Sequence, residues 1–325
     1  MSKAKKAVVD RMQPQRWAVA FLDLLGQRQA FRDAEIRPGM TDADAERRLV
    51  EATRESVGVI VRFHEQYKSF RTIYLKRPSP DLSHLPPSRR RIAEQWRRTR
   101  IRDLPFSDGL VVYLSLHPDL DHSPVLGLHF LTMAAGMLAL VQAAMGKPIR
   151  GGIDAGTAIR THGQLFGAAV VKAYELESET AVWPRILIGD DLVQYLETKL
   201  NGPREEELDE LNRFTAERVF QTLFKDTDGK WAIDFLGPMF HTVPDLERPL
   251  ALDRLFCSAY SKSKQALHHW KNENSSERLV AKYQYLCDYI ASRAGAWGLP
   301  LDVLVESVGR DPEAQARTES PPDAK

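Results

Sequence analysis

Two apolar runs, each bounded by an aspartate, constrain this chain more than any other feature. The first is Trp17-Ala-Val-Ala-Phe-Leu-Asp23-Leu-Leu-Gly26 and the second is Phe106-Ser-Asp108-Gly-Leu-Val-Val-Tyr-Leu114. Short, uninterrupted apolar runs closed by turn residues read as buried strands. The pattern predicts a strand over 17–25, with a helix opening at about Gly26, and a second strand over 106–114 that begins at Ser-Asp-Gly. Two carboxylates on neighbouring strand ends, beside a helix N-terminus, suit divalent cations and a triphosphate. Mg²⁺ and Mn²⁺ take oxygen ligands, commonly one or two carboxylates plus phosphate oxygens. The free N–H groups of a helix start, here those of Leu25, Gly26, Gln27 and Arg28, suit the phosphates. Asp23 and Asp108 are therefore the candidate metal ligands, and the pattern points to metal-assisted phosphoryl chemistry.

Composition sets the frame for these runs. The chain has 325 residues, 43% of them hydrophobic, enough for a large core and for one or two domains. A net charge of +1 gives no global field toward nucleic acid or a membrane. Cys257 and Cys287 stand far apart in no metal-ligand or redox pattern, as in a reduced cytosolic protein. The basic start Met-Ser-Lys-Ala-Lys-Lys is followed by no apolar signal core, so a cytoplasmic location is expected. Residues 123–146 carry no charged side chain and are long enough to cross a bilayer. His129, Thr132 and Gln142, and the strand pattern that starts at Pro148, favour a buried core helix instead. His129 reads as a core histidine.

Around these landmarks the pattern predicts a long helix over 43–67, a strand over 69–75, and a Pro-rich, Arg-rich insertion over 76–103 that is loop and then short basic helix. A Gly-rich strand follows over 148–159, then a turn over 164–167, a helix over 168–181 and a strand over 184–188. Residues 190–226 read as helix, 231–242 as a strand pair, and 252–298 as mostly helix. The Asp226-x-Asp228-Gly segment has neither the ligand spacing nor the closing Glu of a calcium loop and reads as a turn. The expected architecture is α+β with a largely antiparallel sheet. Its expected domains are 1–190 (catalytic, with the insertion), 191–308 (a mainly helical extension) and 309–325 (a disordered tail).

Four motifs in this order resemble the class III nucleotidyl cyclases. They are Phe21-Leu-Asp23-Leu24-Leu-Gly26, Ser107-Asp108-Gly109, Arg150-Gly-Gly-Ile-Asp-Ala-Gly156, and Phe166-Gly167 with the helix that ends in Leu176-Glu-Ser. Arg150-Gly-Gly-Ile, Phe-Gly-Ala-Ala-Val-Val-Lys-Ala-Tyr-Glu-Leu-Glu and the downstream Trp-Pro-Arg-Ile more narrowly resemble the Pycsar pyrimidine cyclases of bacterial antiphage defence. The resemblance implies a cyclase-like sandwich and a homodimer. It implies two divalent ions, Mn²⁺ or Mg²⁺, on Asp23, Asp108 and the Leu24 carbonyl. The implied reaction converts UTP or CTP to its 3′,5′-cyclic monophosphate, which a separately encoded effector senses.

The chain departs from the family where ribose and transition state are usually handled. The family's Asn and Arg fall at Val171 and Glu175, which leaves Lys172, Arg185 and Arg150 as candidate catalytic cations. The base-reading positions fall at Gln164 and Leu104, which gives purines little support, so Gln164 is the candidate pyrimidine reader. Two other readings stay open. One is a nucleic-acid-binding protein using Arg89–Arg102 with Trp96, against a solvated helix face or dimer contact for the same segment. The other is an inactive cyclase fold that only binds nucleotide.

Overall fold

The computed structural model describes residues 13–26, 43–75, 81, 83–117, 123–203, 206–241, 249–273 and 277–299. The chain divides into two compact units, Met1–Ala139 with Ile149–Phe235, and Leu140–Pro148 with Leu236–Lys325. The first unit is an α+β fold on a mixed, mostly antiparallel sheet of eight strands.

The organising strand is β1 (Gln15–Leu24), whose middle is buried as its apolar run requires. It pairs antiparallel with β3 (Gly109–Ser115) on one side and β4 (Ile149–Thr161) on the other. Next to β3 lies β2 (Arg102–Phe106), joined to it by the tight turn Ser107-Asp108. The segment expected as one strand over 106–114 is thus the outgoing arm of a hairpin. On the far side of β4 come β6 (Ile186–Ile188), in parallel, then β8 (Trp231–Ile233) and β7 (Leu223–Lys225). The eighth strand, β5 (Gln164–Gly167), folds back on β4.

Among the described residues, five α-helices belong wholly to this unit: α1 (Ala43–Leu75), α2 (Pro87–Arg97), α4 (Ala168–Glu175), α5 (Asp190–Leu200) and α6 (Glu207–Phe220). The long helix α3 (Pro124–Ala144) runs between the two units in sequence. It is long and apolar enough to cross a membrane, yet 89% of its most apolar window is buried. That is the expected core helix. Successive strand residues face opposite sides of the sheet. Leu114 accordingly meets Gly127 of α3, while Trp17, Val19 and Tyr113 pack with Ala169 and Ala173 of α4 on the other side. The second unit holds α7 (Pro238–His241), α8 (Pro249–Asn272) and α9 (Glu277–Arg293).

Several expectations are corrected. Residues 69–75 continue α1 instead of forming a strand. Phe63, Tyr67 and Tyr74 are buried at helical spacing, and the Ser69 hydroxyl bonds back to the Glu65 carbonyl at 3.0 Å. Burial of that stripe overrides the β-like alternation of the segment. Residues 164–167 are strand β5, and the turn lies before them at His162-Gly163. The helical stretch expected over 190–226 ends in β7, and the strand pair expected over 231–242 is β8 followed by α7. The sheet consequently runs past residue 190, where a domain boundary was expected. The helix expected from Gly26 onward and the tail over 309–325 lie outside the described residues.

Candidate functional site

The register of β1 builds the site. Asp23, near the end of β1, stands opposite Gly109 on β3 and opposite Arg150 on β4. Asp108 is the residue before Gly109, and the Leu24 N–H donates to the Asp108 carbonyl at 3.3 Å. The two aspartates, distant in sequence, therefore occupy adjoining ends of interior strands. Ser107, one residue earlier, is held at φ 51°, a conformation that side-chain-bearing residues seldom adopt. Strain of this kind gathers where a turn must aim a functional group. From α1, the His64 Nε2–H donates to the Gly109 carbonyl at 2.9 Å and ties the same turn to the helix layer.

Arg150 supplies the positive charge. Its guanidinium lies 3.5 Å from the Asp23 carboxylate and 2.5 Å from that of Glu177, and the side chains of Arg150 and Glu177 are 10% and 3% exposed. Glu177 sits in a π-helical turn, Leu176–Thr180, that continues α4. Such turns recur at functional sites because they displace one residue from the helical register. The turn reaches the sheet because Gly152 has no side chain: a Cβ there would stand 2.7 Å from the Ala173 carbonyl oxygen and 2.8 Å from the Glu177 nitrogen. The glycines expected to permit close backbone approach do so at this position.

Among the described residues, no three His, Cys, Asp or Glu side chains gather into a metal-binding group. Asp23 and Asp108 stand at adjoining strand ends. Two carboxylates there would suit a hard cation whose remaining ligands are phosphate oxygens, water or backbone carbonyls such as that of Leu24. Arg150 faces Asp23 but is drawn toward Glu177, its nearer partner.

The other candidate residues are dispersed. Lys172 forms an ion pair with Asp191 of α5, which raises its pKa. Arg185 is buried, its side chain engaged by Asp226 and Asp228 in the turn between β7 and β8, with Nη2 2.6 Å from Asp228. Its guanidinium holds the Asp228 carboxyl below its ordinary pKa. The segment dismissed as a calcium loop is the anchor of this ion pair. Gln164 pairs with Thr161 at the opposite end of β4 from Arg150, roughly 35 Å away by strand rise. Leu104 faces Val111 in the β2–β3 hairpin. Leu25 and Gly26 form the turn that follows β1, with Gly26 at φ 91°. Gln27 and Arg28 lie outside the described residues. In the basic insertion, Arg89 is paired with Glu207 at 2.8 Å, and Arg90 donates to the Ser83 carbonyl at 2.9 Å.

Sequence reasoning missed Glu177 and His64. Glu177 stood inside a quoted motif, but its partner Arg150 is revealed only by the fold. His64 carries no local signal.

No protein-family model matches the chain. No curated protein matches it either.

Proposed function

We propose that this protein is a nucleotidyl cyclase of the class III kind, resembling the pyrimidine cyclases of bacterial antiphage defence. It converts UTP, and less readily CTP, to the 3′,5′-cyclic monophosphate and pyrophosphate. The observation that carries the reading is the juxtaposition of Asp23 and Asp108 at adjoining strand ends, in motifs that resemble the family's metal-binding segments. Two divalent ions, Mn²⁺ or Mg²⁺, would be held by Asp23, Asp108 and the Leu24 carbonyl. When bound, they lower the pKa of the ribose 3′-hydroxyl and offset charge on the departing pyrophosphate. The 3′-oxygen attacks the α-phosphorus, its proton leaves to solvent, and the bond to the β-phosphate oxygen breaks. Arg150 is the candidate cation whose guanidinium stands at Asp23. It is favoured over Lys172 and Arg185, which are paired with Asp191 and with Asp226 and Asp228, because it stands beside the proposed metal ligand.

Gln164 belongs to the same site only if the site forms between two chains. The exposed Phe106, Phe166, Val171 and Tyr174 support that arrangement, since a second copy would cover them. The Gln164 amide can meet uracil N3–H and O4 together, which favours UTP. The enzyme acts in the cytoplasm, and a separately encoded effector senses the product.

The test is incubation of purified protein with equimolar UTP, CTP, ATP and GTP and Mn²⁺, with products identified by mass. Cyclic UMP should dominate, and Asp23→Asn and Asp108→Asn should each lower turnover at least about a thousandfold while the fold persists. Purine products, or full activity in either variant, would overturn the reading.

A further inference from the structure

Away from the Asp23 cluster, the first unit carries a cavity open to solvent, of about 670 Å³, lined by residues of α1, α2, α3 and α6. No lining residue comes from β1, the β2–β3 turn or β4. The floor is apolar: Tyr74 and Phe130 are buried and stacked, with ring centroids 5.9 Å apart. One wall is Trp96 of α2, whose Nε1–H donates to Thr215 Oγ1 of α6 at 3.2 Å. That bond joins the two helices and forms the cavity in advance of any ligand. Phe214 of α6, 53% exposed, also lines the cavity, with the Arg218 guanidinium 5.6 Å from its ring centroid. Arg97 and Arg98 add two more guanidinium groups, and Glu94 is the acidic residue among the lining side chains.

This combination selects a chemistry. The volume falls in the range of small-molecule sites, which are mostly apolar with a few directing polar groups. Rings at floor and wall favour a flat aromatic body by stacking and edge contacts. The exposed Arg218 guanidinium beside the Phe214 ring favours a negative charge, and its planar fork fits phosphate, sulfonate or carboxylate oxygens. We propose that this cavity is a second ligand site, separate from the Asp23 cluster, for a small aromatic anion: a planar ring joined to a phosphate, sulfonate or carboxylate.

The probe is 8-anilinonaphthalene-1-sulfonate, which joins aromatic rings to one sulfonate and brightens on leaving water. Titrated into the full-length protein, it should bind saturably. Phe214 and Arg218 are exposed, so Phe214→Ala and Arg218→Glu should keep the wild-type melting temperature. Each should weaken dye binding about tenfold or more. N-phenyl-1-naphthylamine, which has the rings without the sulfonate, should bind about tenfold more weakly than the sulfonate. Asp23→Asn should leave the dye affinity unchanged, which separates this site from the proposed catalytic one. Unchanged affinity in both cavity variants, equal binding of the neutral dye, or loss of binding in Asp23→Asn would each overturn the proposal.

Discussion

Gly152→Ala should be among the most damaging single-methyl additions to this protein. The added Cβ would lie 2.7 Å from the Ala173 carbonyl oxygen, 2.7 Å from Leu176 Cβ and 2.8 Å from the Glu177 nitrogen. Ordinary van der Waals contact requires a retreat of roughly 0.7 Å or more. Neither side yields cheaply. Residue 152 is held by β1 through Phe21 and by β6 through Leu187, and two of the three crowded atoms are helix backbone. Overpacking of this kind costs typically about 1–3 kcal/mol, and the backbone contacts put this case near 3. With a urea m-value of about 3 kcal/mol/M, the unfolding midpoint should fall by about 1 M. The retreat also carries Glu177 away from Arg150, so the 2.5 Å ion pair should be lost in a crystal structure of the variant. Gly58→Ala is the contrast. In the middle of α1 its Cβ would meet only the Arg62 side-chain tip at 3.6 Å, and the gain in helix propensity should raise stability by about 0.5–1 kcal/mol. Urea titration followed by far-UV circular dichroism checks both. The reasoning fails if Gly152→Ala stays within about 0.5 kcal/mol of wild type.

Arg185→Ala leaves the Asp226 and Asp228 carboxylates facing each other and should cost about 3–5 kcal/mol of stability, read from the same titration; a loss under about 1 kcal/mol would show the pair to be dispensable. Lys172→Ala breaks a half-exposed pair with Asp191 and should change stability by no more than about 1 kcal/mol. Asp154, on β4, accepts the N–H groups of Ala155 at 2.8 Å and Leu192 at 3.1 Å on one oxygen, Oδ1. Asparagine keeps that acceptor, so Asp154→Asn should be milder than Asp154→Ala, which leaves the Leu192 N–H only the Gly189 carbonyl at 3.2 Å and should cost about 1 kcal/mol. Burial also holds the Asp154 carboxyl above its ordinary pKa. Its stabilising proton is fully present below the unfolded value and is lost as pH rises through the folded one. Unfolding midpoints from pH 3.5 to 7 should therefore show wild type losing ground to Asp154→Asn as pH rises; parallel curves would refute this.

Where a signal was local, the sequence carried it. The apolar runs around Asp23 and Asp108, the uncharged helix over α3 and the Asp226–Asp228 turn were all legible, because each rests on burial pattern or turn chemistry within a dozen residues. Residues 69–75 misled because alternating Phe70, Thr72 and Tyr74 suit a strand, while the stripe Phe63, Tyr67 and Tyr74 that decides the matter spans three turns of helix. Strands β5 and β7 have only four and three residues, too short to show a period, whereas β6 and β8 fall within stretches expected as strands. The strand-end placing of Asp23 and Asp108 was legible in the sequence, but the side chains that surround them were not. Glu177 and His64 act through partners supplied by other elements. The pairing of Arg185 with two aspartates in the β7–β8 turn is likewise supplied only by the fold.

The pairing of β1 has a consequence for synthesis. The strand occupies the middle of its sheet, yet both neighbours come later in the chain, and the second ends only at Thr161. At about 5–20 residues per second, a ribosome takes on the order of 10 s to deliver the missing partners. Throughout that interval the nascent chain presents a ten-residue apolar strand with both hydrogen-bonding edges open, the condition in which strands seek foreign partners. Shielding Gln15–Leu24 during translation should therefore favour production of this protein. Slower elongation should lower the soluble yield, while a holdase that covers emerging apolar segments should restore it.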